Sequence, residues 1–304
     1  VTHPDTSALP FSYLIESHND SFLVPGINLR SVGTIRDARK WPKRDRRKGS
    51  DRLDCINFNL LSPYTAGKMM EGIELLGNIE QTSGLTAQRY AYQTMIIDAH
   101  ALRKGRKLYR LAINKFIGNS VISRLGSEPI ESCEELTRRL LPTNRAGAGQ
   151  WVDICGLIAP KNEVDIICDD IESGVIENLE QLEQRWHTLH DNYYDMEWTW
   201  VADNFERWFG KRVDELTPQD IRTIINTWIE SVTALNSMLL DDARKEFSLT
   251  SQTGFGIDGP AADAAADFIN VRGNYDCDPF VEMVKSHSVI KSALAEQALS
   301  LLPS

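Results

Sequence analysis

Nine Lys or Arg residues crowd the stretch from Arg36 to Arg52 (Arg36, Arg39, Lys40, Lys43, Arg44, Arg46, Arg47, Lys48 and Arg52), against three acids, Asp37, Asp45 and Asp51. A guanidinium offers a planar fork of N–H donors that meets phosphate or carboxylate oxygens two at a time, and lysine adds a compact positive charge. That chemistry makes Arg36, Arg39, Lys43, Arg44, Arg46 and Arg47 the candidate residues of an anion or phosphate site. The whole chain carries a formal charge of -10. A basic island in an acidic protein has two other uses: docking to another chain or domain, or a solvated, partly salt-bridged face against the protein's own acidic helices. Residue types alone leave the three open.

Other patterns fall short of the chemistry they suggest. Gly254, Gly256 and Gly259 fit G-x-G-x-x-G, but a dinucleotide site needs a strand before the loop, and a helix ending near Arg244 precedes this one. Asp258, Asp263 and Asp267 would repel a phosphate there, so the stretch reads as a glycine-rich connection between helices. His187 and His190 lie one helical turn apart beside Glu183 and Asp191, yet no third ligand stands at a defined spacing, so neither a metal nor a cofactor is called for. Trp198, Trp200 and Trp208 suit helix packing better than ligand stacking. There is no G-x-S-x-G elbow, and no Cys adjoins a His in sequence.

The elements that must position these residues are mostly helices. Phe11 to Val24 gives two apolar runs around His18-Asn19-Asp20, a β-hairpin pattern closed by Pro25-Gly26. Ile35, Ala38 and Trp41 then stand at helical spacing, which predicts a short helix stopped by Pro42 and anchored to a core by Trp41. Ser62-Pro63 is an N-cap with a first-turn proline, opening a helix that runs to about Gly84. Tyr90, Tyr92, Thr94 and Ile96 alternate as one strand, and a basic amphipathic helix follows, carrying Arg103, Lys104, Arg106, Lys107, Arg110 and Lys115. Residues 142 to 149 form a loop or linker without periodicity, after which the pattern predicts helices over 163–172, 176–209, 218–244, 261–271 and 279–302. Tyr194, Trp198, Val201, Phe205 and Trp208 mark one buried helix face. The reading is a mainly α, multi-helical module with a short N-terminal β-hairpin, divided as 1–61, 62–141 with one short strand, and an all-helical 150–304.

Composition narrows the class. With 304 residues, 42% hydrophobic and 25% charged, the chain can bury a sizeable core. Its acidic balance argues against nucleic acid as a general partner, because phosphate neutralisation needs a broad basic face. Five scattered cysteines without C-x-x-C suit neither a disulfide framework nor a zinc ribbon and read as reduced thiols in a cytoplasmic protein. No apolar run reaches the roughly 18 residues a membrane span needs. Val1 leads without Met into HPDTSALPFSYLI, which reads as the interior of a longer polypeptide.

In HPDTSALPFSYLIE, FLVPGINLRSVG, RDARKWPKRDRR, NFNLLSPYTAGKMMEG and KGRKLYRLAINKFIGNS, and more weakly in TGFGIDG and NVRG, the chain resembles a bacterial family whose N-terminal half is a left-handed β-helix of the hexapeptide-repeat kind. The resemblance implies that the N-terminal hairpin continues from the last coils of an upstream β-helix domain in the same protein. By analogy of fold it implies transferase-like work on nucleotide-activated sugars, of acyl- or nucleotidyltransferase type, by the full-length protein. It assigns no catalytic residue here and implies that this stretch alone is not catalytic. The alternative is a non-catalytic interaction module that docks onto the β-helix and organises assembly; homo-oligomerisation stays open.

Overall fold

Strand pairing at the start of the chain follows local signals. The computed structural model describes residues 5–17, 19–47, 55–256 and 258–303; His18 of the expected turn, and Lys48, Asp51 and Arg52 of the basic stretch, lie outside them. Strands β1 (Tyr13–Ser17) and β2 (Asp20–Val24) pair antiparallel with Tyr13 opposite Val24. The single strand expected over residues 90–96 is instead a hairpin of β3 (Arg89–Tyr92) and β4 (Met95–Asp98), turning at Gln93-Thr94 with Gln93 at φ 56°. The turn changes the phase of the alternation, so Tyr90 is buried on β3 but Met95 and Ile97 on β4. β2 runs parallel to β4, which closes a four-stranded sheet of order β1-β2-β4-β3.

The remainder is mainly α. Helix α1 (Val32–Arg44) continues two residues past Pro42, because a proline in the last turn forfeits only one backbone bond. Its Trp41 is 62% exposed and anchors nothing; the helix is held at its other end, where the Val32 N–H donates to Asp242 Oδ2 at 3.0 Å and Val32 and Ile35 pack with Leu239 and Phe280. Helix α2 (Pro63–Ser83) starts at the Ser62 capping box and ends at Gly84, as expected. Helix α3 (Ala99–Leu125) is buried along most of its length. Helix α4 (Cys133–Leu140) and the loop after it follow.

Residues 150–304 are not all helical. Trp151–Ile154 (β5) and Leu157–Pro160 (β6) form a second hairpin, whose tip, Cys155-Gly156, has φ of 53° and 103°. Positive φ at both tip residues is the type I′ turn that suits strand twist. The run hid from a reading by period because Trp151, Leu157, Ile158 and Ala159 are all buried, which removes the alternation. Helix α5 (Lys161–Glu172) is followed by α6 (Leu179–Asp191), α7 (Tyr193–Asp203) and α8 (Phe205–Phe209), where one helix over 176–209 was expected. Asn192 and Asn204 break it: each Nδ2 donates back to a carbonyl four residues earlier, Thr188 at 2.8 Å and Trp200 at 2.9 Å. The break turns Tyr194 out to solvent, 69% exposed, while Trp198, Val201 and Phe205 stay buried. Helices α9 (Pro218–Lys245), α10 (Ala261–Arg272) and α11 (Pro279–Ser300) complete the chain.

One contiguous core draws on all three expected segments, from Leu9 and Leu23 through α2 and α3 to Ala298 and Leu302. The 142–149 loop is tied into it: Trp198 Nε1 donates to Leu140 O at 2.8 Å, and Trp151 Nε1 to Gly147 O at 2.9 Å. α3 lies between α2 and α9, and α9 in turn carries α11. Gly118 lets α3 and α9 approach closely, since a Cβ there would clash with the Trp228 side chain of α9. Gly118→Ala should therefore overpack a fully buried contact and cost about 1–3 kcal/mol. Denaturant unfolding would show it as a lowered midpoint; an unchanged midpoint would mean that α3 and α9 are not pressed together there.

Candidate functional site

Lys115 stands on α3 among Ala112, Ile113, Phe116 and Ile117, and Glu197 on α7 between Met196 and Trp198. Helical spacing puts each on a face that is otherwise apolar. Both line one cavity of about 310 Å³, closed by Leu29, by Ile35 of α1, by Asn59–Leu61, and by Leu235 and Leu239 of α9. The largely exposed Tyr194 lies along it, its hydroxyl 3.5 Å from Asn59 Nδ2. That volume is at the small end of ligand pockets, about 300–1,000 Å³.

The apolar walls shift both ionisable groups toward neutrality. Burial pushes the Glu197 carboxyl up to about 7, although the Ser120 hydroxyl donates to its Oε1 at 3.0 Å. Burial, with Lys291 as a second cation nearby, brings Lys115 down to about 8. No carboxylate pairs with Lys115 among the described residues, and no cation with Glu197. Tyr193, 3% exposed, adds a buried hydroxyl beside Glu197 that has no well-formed hydrogen bond among the described residues; burial first, and then the nearby Glu197 carboxylate, hold its proton on. Such a set can bind an anionic group at Lys115 and give or take a proton at Glu197 near neutral pH.

Asn119 follows Lys115 by one turn of α3 and links this cavity to a second, of about 490 Å³, lined by Ile122, Ser123, Lys291 and Leu294. Its Oδ1 accepts from Trp228 Nε1 at 3.1 Å and from Lys291 Nζ at 3.4 Å. A third, polar cleft of about 450 Å³ between α2, β5 and α7 holds Lys68, Glu71, Lys161, Asp203 and Arg207, with Trp200 in its wall. Lys161 and Arg207 are already paired there, to Asp165 and Glu74, each at 2.6 Å.

The basic stretch is spread out rather than gathered. Arg36 reaches Glu246 at 3.5 Å and lies over the Phe280 ring; Arg272 meets the same Glu246. Arg47 pairs with Asp45 at 2.8 Å. Lys43, Arg44 and Arg46 are exposed. None of these six residues lines any of the cavities above; Arg39, one turn beyond Ile35, comes nearest, close enough to act on His287 of α11. Of the other patterns, the glycine-rich stretch connects a 3-10 turn (Leu249–Gln252) to α10, with Ile257 outside the described residues. His187 and His190 part company: His187 Nδ1 is 3.4 Å from Cys55 Sγ, a pairing invisible in sequence, and His190 faces Asp191 at 3.6 Å. Cys133, Cys155, Cys168 and Cys277 are free thiols.

Residues 132–302 match a family model described as a domain of unknown function, DUF6819, and residues 1–80 match a second, DUF4954. The chain belongs to the DUF6819 family. No curated protein and no solved structure matches it. The cavity takes Leu29, Ile35 and Asn59–Leu61 from the DUF4954 stretch, Tyr194, Glu197, Leu235 and Leu239 from the DUF6819 stretch, and Lys115 and Asn119 from α3 between them. Neither matched stretch builds it alone.

Sequence reasoning counted Lys115 only as part of a basic face and passed over Glu197. The signal lay in context, a single charge inside each apolar run. Both groups make stability depend on pH. Glu197 titrates at about 7 in the folded protein against an ordinary 4.5, so its penalty is relieved below pH 4.5 and fully present above pH 7. Lys115 is lowered from 10.5 to about 8, so its penalty is present below pH 8 and relieved as pH rises to 10.5. The stability of Glu197→Gln relative to wild type should accordingly rise by roughly 2–3 kcal/mol from pH 4.5 to 7 and then level off. Urea unfolding of both proteins across that range tests it; a difference that does not change with pH would rule out a buried, raised carboxyl.

Proposed function

We propose that this chain is a small-molecule-binding helical module, seating an anionic ligand at Lys115 with Glu197 positioned for hydrogen bonding or proton transfer. One observation carries this reading: two groups of opposite charge type share a largely apolar cavity, neither forms an ion pair among the described residues, and burial moves both toward their neutral forms. Structural charges buried for stability pair, since an unpaired charge in low dielectric costs several kcal/mol. A ligand that supplies the missing partner recovers that cost.

The ligand class we favour is a sugar phosphate or nucleotide-activated sugar, held for a transferase-like full-length protein whose upstream part is a hexapeptide-repeat β-helix. The family resemblance supports that choice, and the cavity suits it: amide and hydroxyl groups of Asn59, Asn119 and Tyr194 can meet sugar hydroxyls, and the apolar wall can cover a ring face. Given its size, the cavity would take a monosaccharide phosphate whole, or one end of a nucleotide sugar. Calorimetric titration with a panel of both should give saturable binding in the wild type. Lys115→Met should weaken it roughly tenfold or more, as for loss of one charged hydrogen bond of about 1.5–3 kcal/mol. Absence of binding across the panel, in protein shown to be folded, would sink the sugar assignment.

A second reading is favoured by α1. Trp41 is exposed in the company of the exposed Lys43, Arg44 and Arg46, the aromatic-plus-cation composition common at the centre of protein interfaces. In this reading α1 docks onto the upstream β-helix domain and the module organises assembly. In the full-length protein, Trp41→Ser with Arg44→Ala should then free the module to limited proteolysis while leaving its own melting temperature unchanged. An unaltered digestion pattern would dismiss docking through α1.

A further inference from the structure

Three basic residues from two helices, Lys115, His287 and Lys291, lie where the two cavities along α3 meet; the one acid in the wall among the described residues, Glu197, shares the smaller cavity and is itself shifted toward its neutral form by burial. Lys115 lines the smaller cavity and Lys291 of α11 the larger, with Asn119 common to both and 3.4 Å from the Lys291 ammonium. His287 precedes Lys291 by one turn of α11, its Nδ1 3.2 Å from the buried Asn236 amide, and the exposed Arg39 of α1 is near enough to act on its charge. The Lys291 ammonium lies 5.4 Å from the centre of the Trp228 ring. Among the described residues, none of Arg39, Lys115, His287 or Lys291 forms an ion pair with a carboxylate. Elsewhere this acidic chain pairs its cations readily, as where Glu80 holds Arg103 and Arg106, both at 2.8 Å.

Like charges gathered in a half-buried junction repel one another, and that arrangement is relieved only by an anion between them. We infer that the Lys115–Asn119–Lys291 junction, with His287 beside it, is a phosphoanion site, for a phosphate ester or diphosphate whose substituents extend into the cavities on either side. Two lysines and an amide donor suit a dianion with several oxygens better than a single carboxylate, which one fork of donors would satisfy. Asn119 presents its Nδ2 donors while its Oδ1 is engaged. Cavities of about 310 and 490 Å³ on the two sides place the anion within a larger molecule rather than at its end.

His287 reports on the site. Burial, and then the charges of Lys115, Lys291 and Arg39, bring its imidazole down to about 4, so it is neutral when the junction is empty. A bound phosphoanion offsets those charges and favours the imidazolium, so binding should draw a proton onto His287. This inference rests on the ligand-binding reading above, but its test does not use a sugar ligand or Glu197. Inorganic pyrophosphate, inorganic phosphate and malonate would each be titrated into the protein while the His287 ring resonances are followed by NMR, beside thermal melts.

Pyrophosphate should raise the His287 titration midpoint and the melting temperature, saturably and more tightly than phosphate. Lys291→Gln and Lys115→Gln should each weaken pyrophosphate tenfold or more, and Lys291→Gln should raise the His287 midpoint in the free protein. Arg44→Gln, on the exposed end of α1, should leave pyrophosphate affinity as in the wild type. If pyrophosphate leaves His287 and the melt unchanged at millimolar concentration, the site does not exist. If malonate binds as tightly as pyrophosphate, the phosphate assignment falls. Pyrophosphate binding without any sugar ligand would uphold this site and overturn the sugar reading; sugar binding that is lost in Lys115→Met, without a pyrophosphate response, would do the reverse.

Discussion

Helix α3 is packed on several sides along most of its length, so its buried polar groups must find a partner inside the protein or go without. Most find one. Asn114 Oδ1 accepts from Trp208 Nε1 at 2.9 Å while its amide donates to Ser231 at 3.3 Å. Asn119 serves Trp228 and Lys291, Ser120 donates to Glu197, and Arg103 and Arg106 share Glu80. A buried polar group left unsatisfied costs about 1–3 kcal/mol, which is why such networks tend to completeness. Lys115 breaks the pattern, and it does so in the wall of a cavity.

The surroundings of α3 come from both ends of the chain. Helix α1, whose first N–H is capped by Asp242 of α9, brings Ile35 from one side, with Leu29 from the turn before it. α7, α9 and α11 bring Glu197, Leu235, His287 and Lys291 from the other. The two matched families thus meet on a helix between them, and the cavities open at that meeting. Ligand sites occur preferentially at such junctions, where two packed surfaces leave unfilled space between side chains of different origin. The same arrangement explains why the basic stretch divides: the end of α1 that packs against α9 carries Ile35 into the cavity wall, whereas Lys43 and Arg44 at its far end, and Arg46 beyond it, are exposed.

Local signals determined much of the architecture. Ser62-Pro63 and Thr217-Pro218 open helices because a hydroxyl cap and a first-turn proline act within four residues of each other, and the first hairpin forms where two apolar runs flank a polar turn. Tertiary context decided where period misled. The β5–β6 hairpin carries no alternation because both its faces are covered; the long helix over 176–209 breaks at two asparagines whose side chains bond back to the chain; and Trp41 stays in solvent because α1 is anchored at its other end. The sequence likewise determined that a basic stretch sits in an acidic chain, since charge can be counted. Which cations lack a counter-ion could not be counted. Arg36 found Glu246 across 210 positions and Lys115, among the described residues, found no ion-pair partner, because ion pairing and desolvation depend on what the fold brings within a few ångströms, and Lys115 and Glu197 come to share a cavity only when α1, α7 and α9 close around α3.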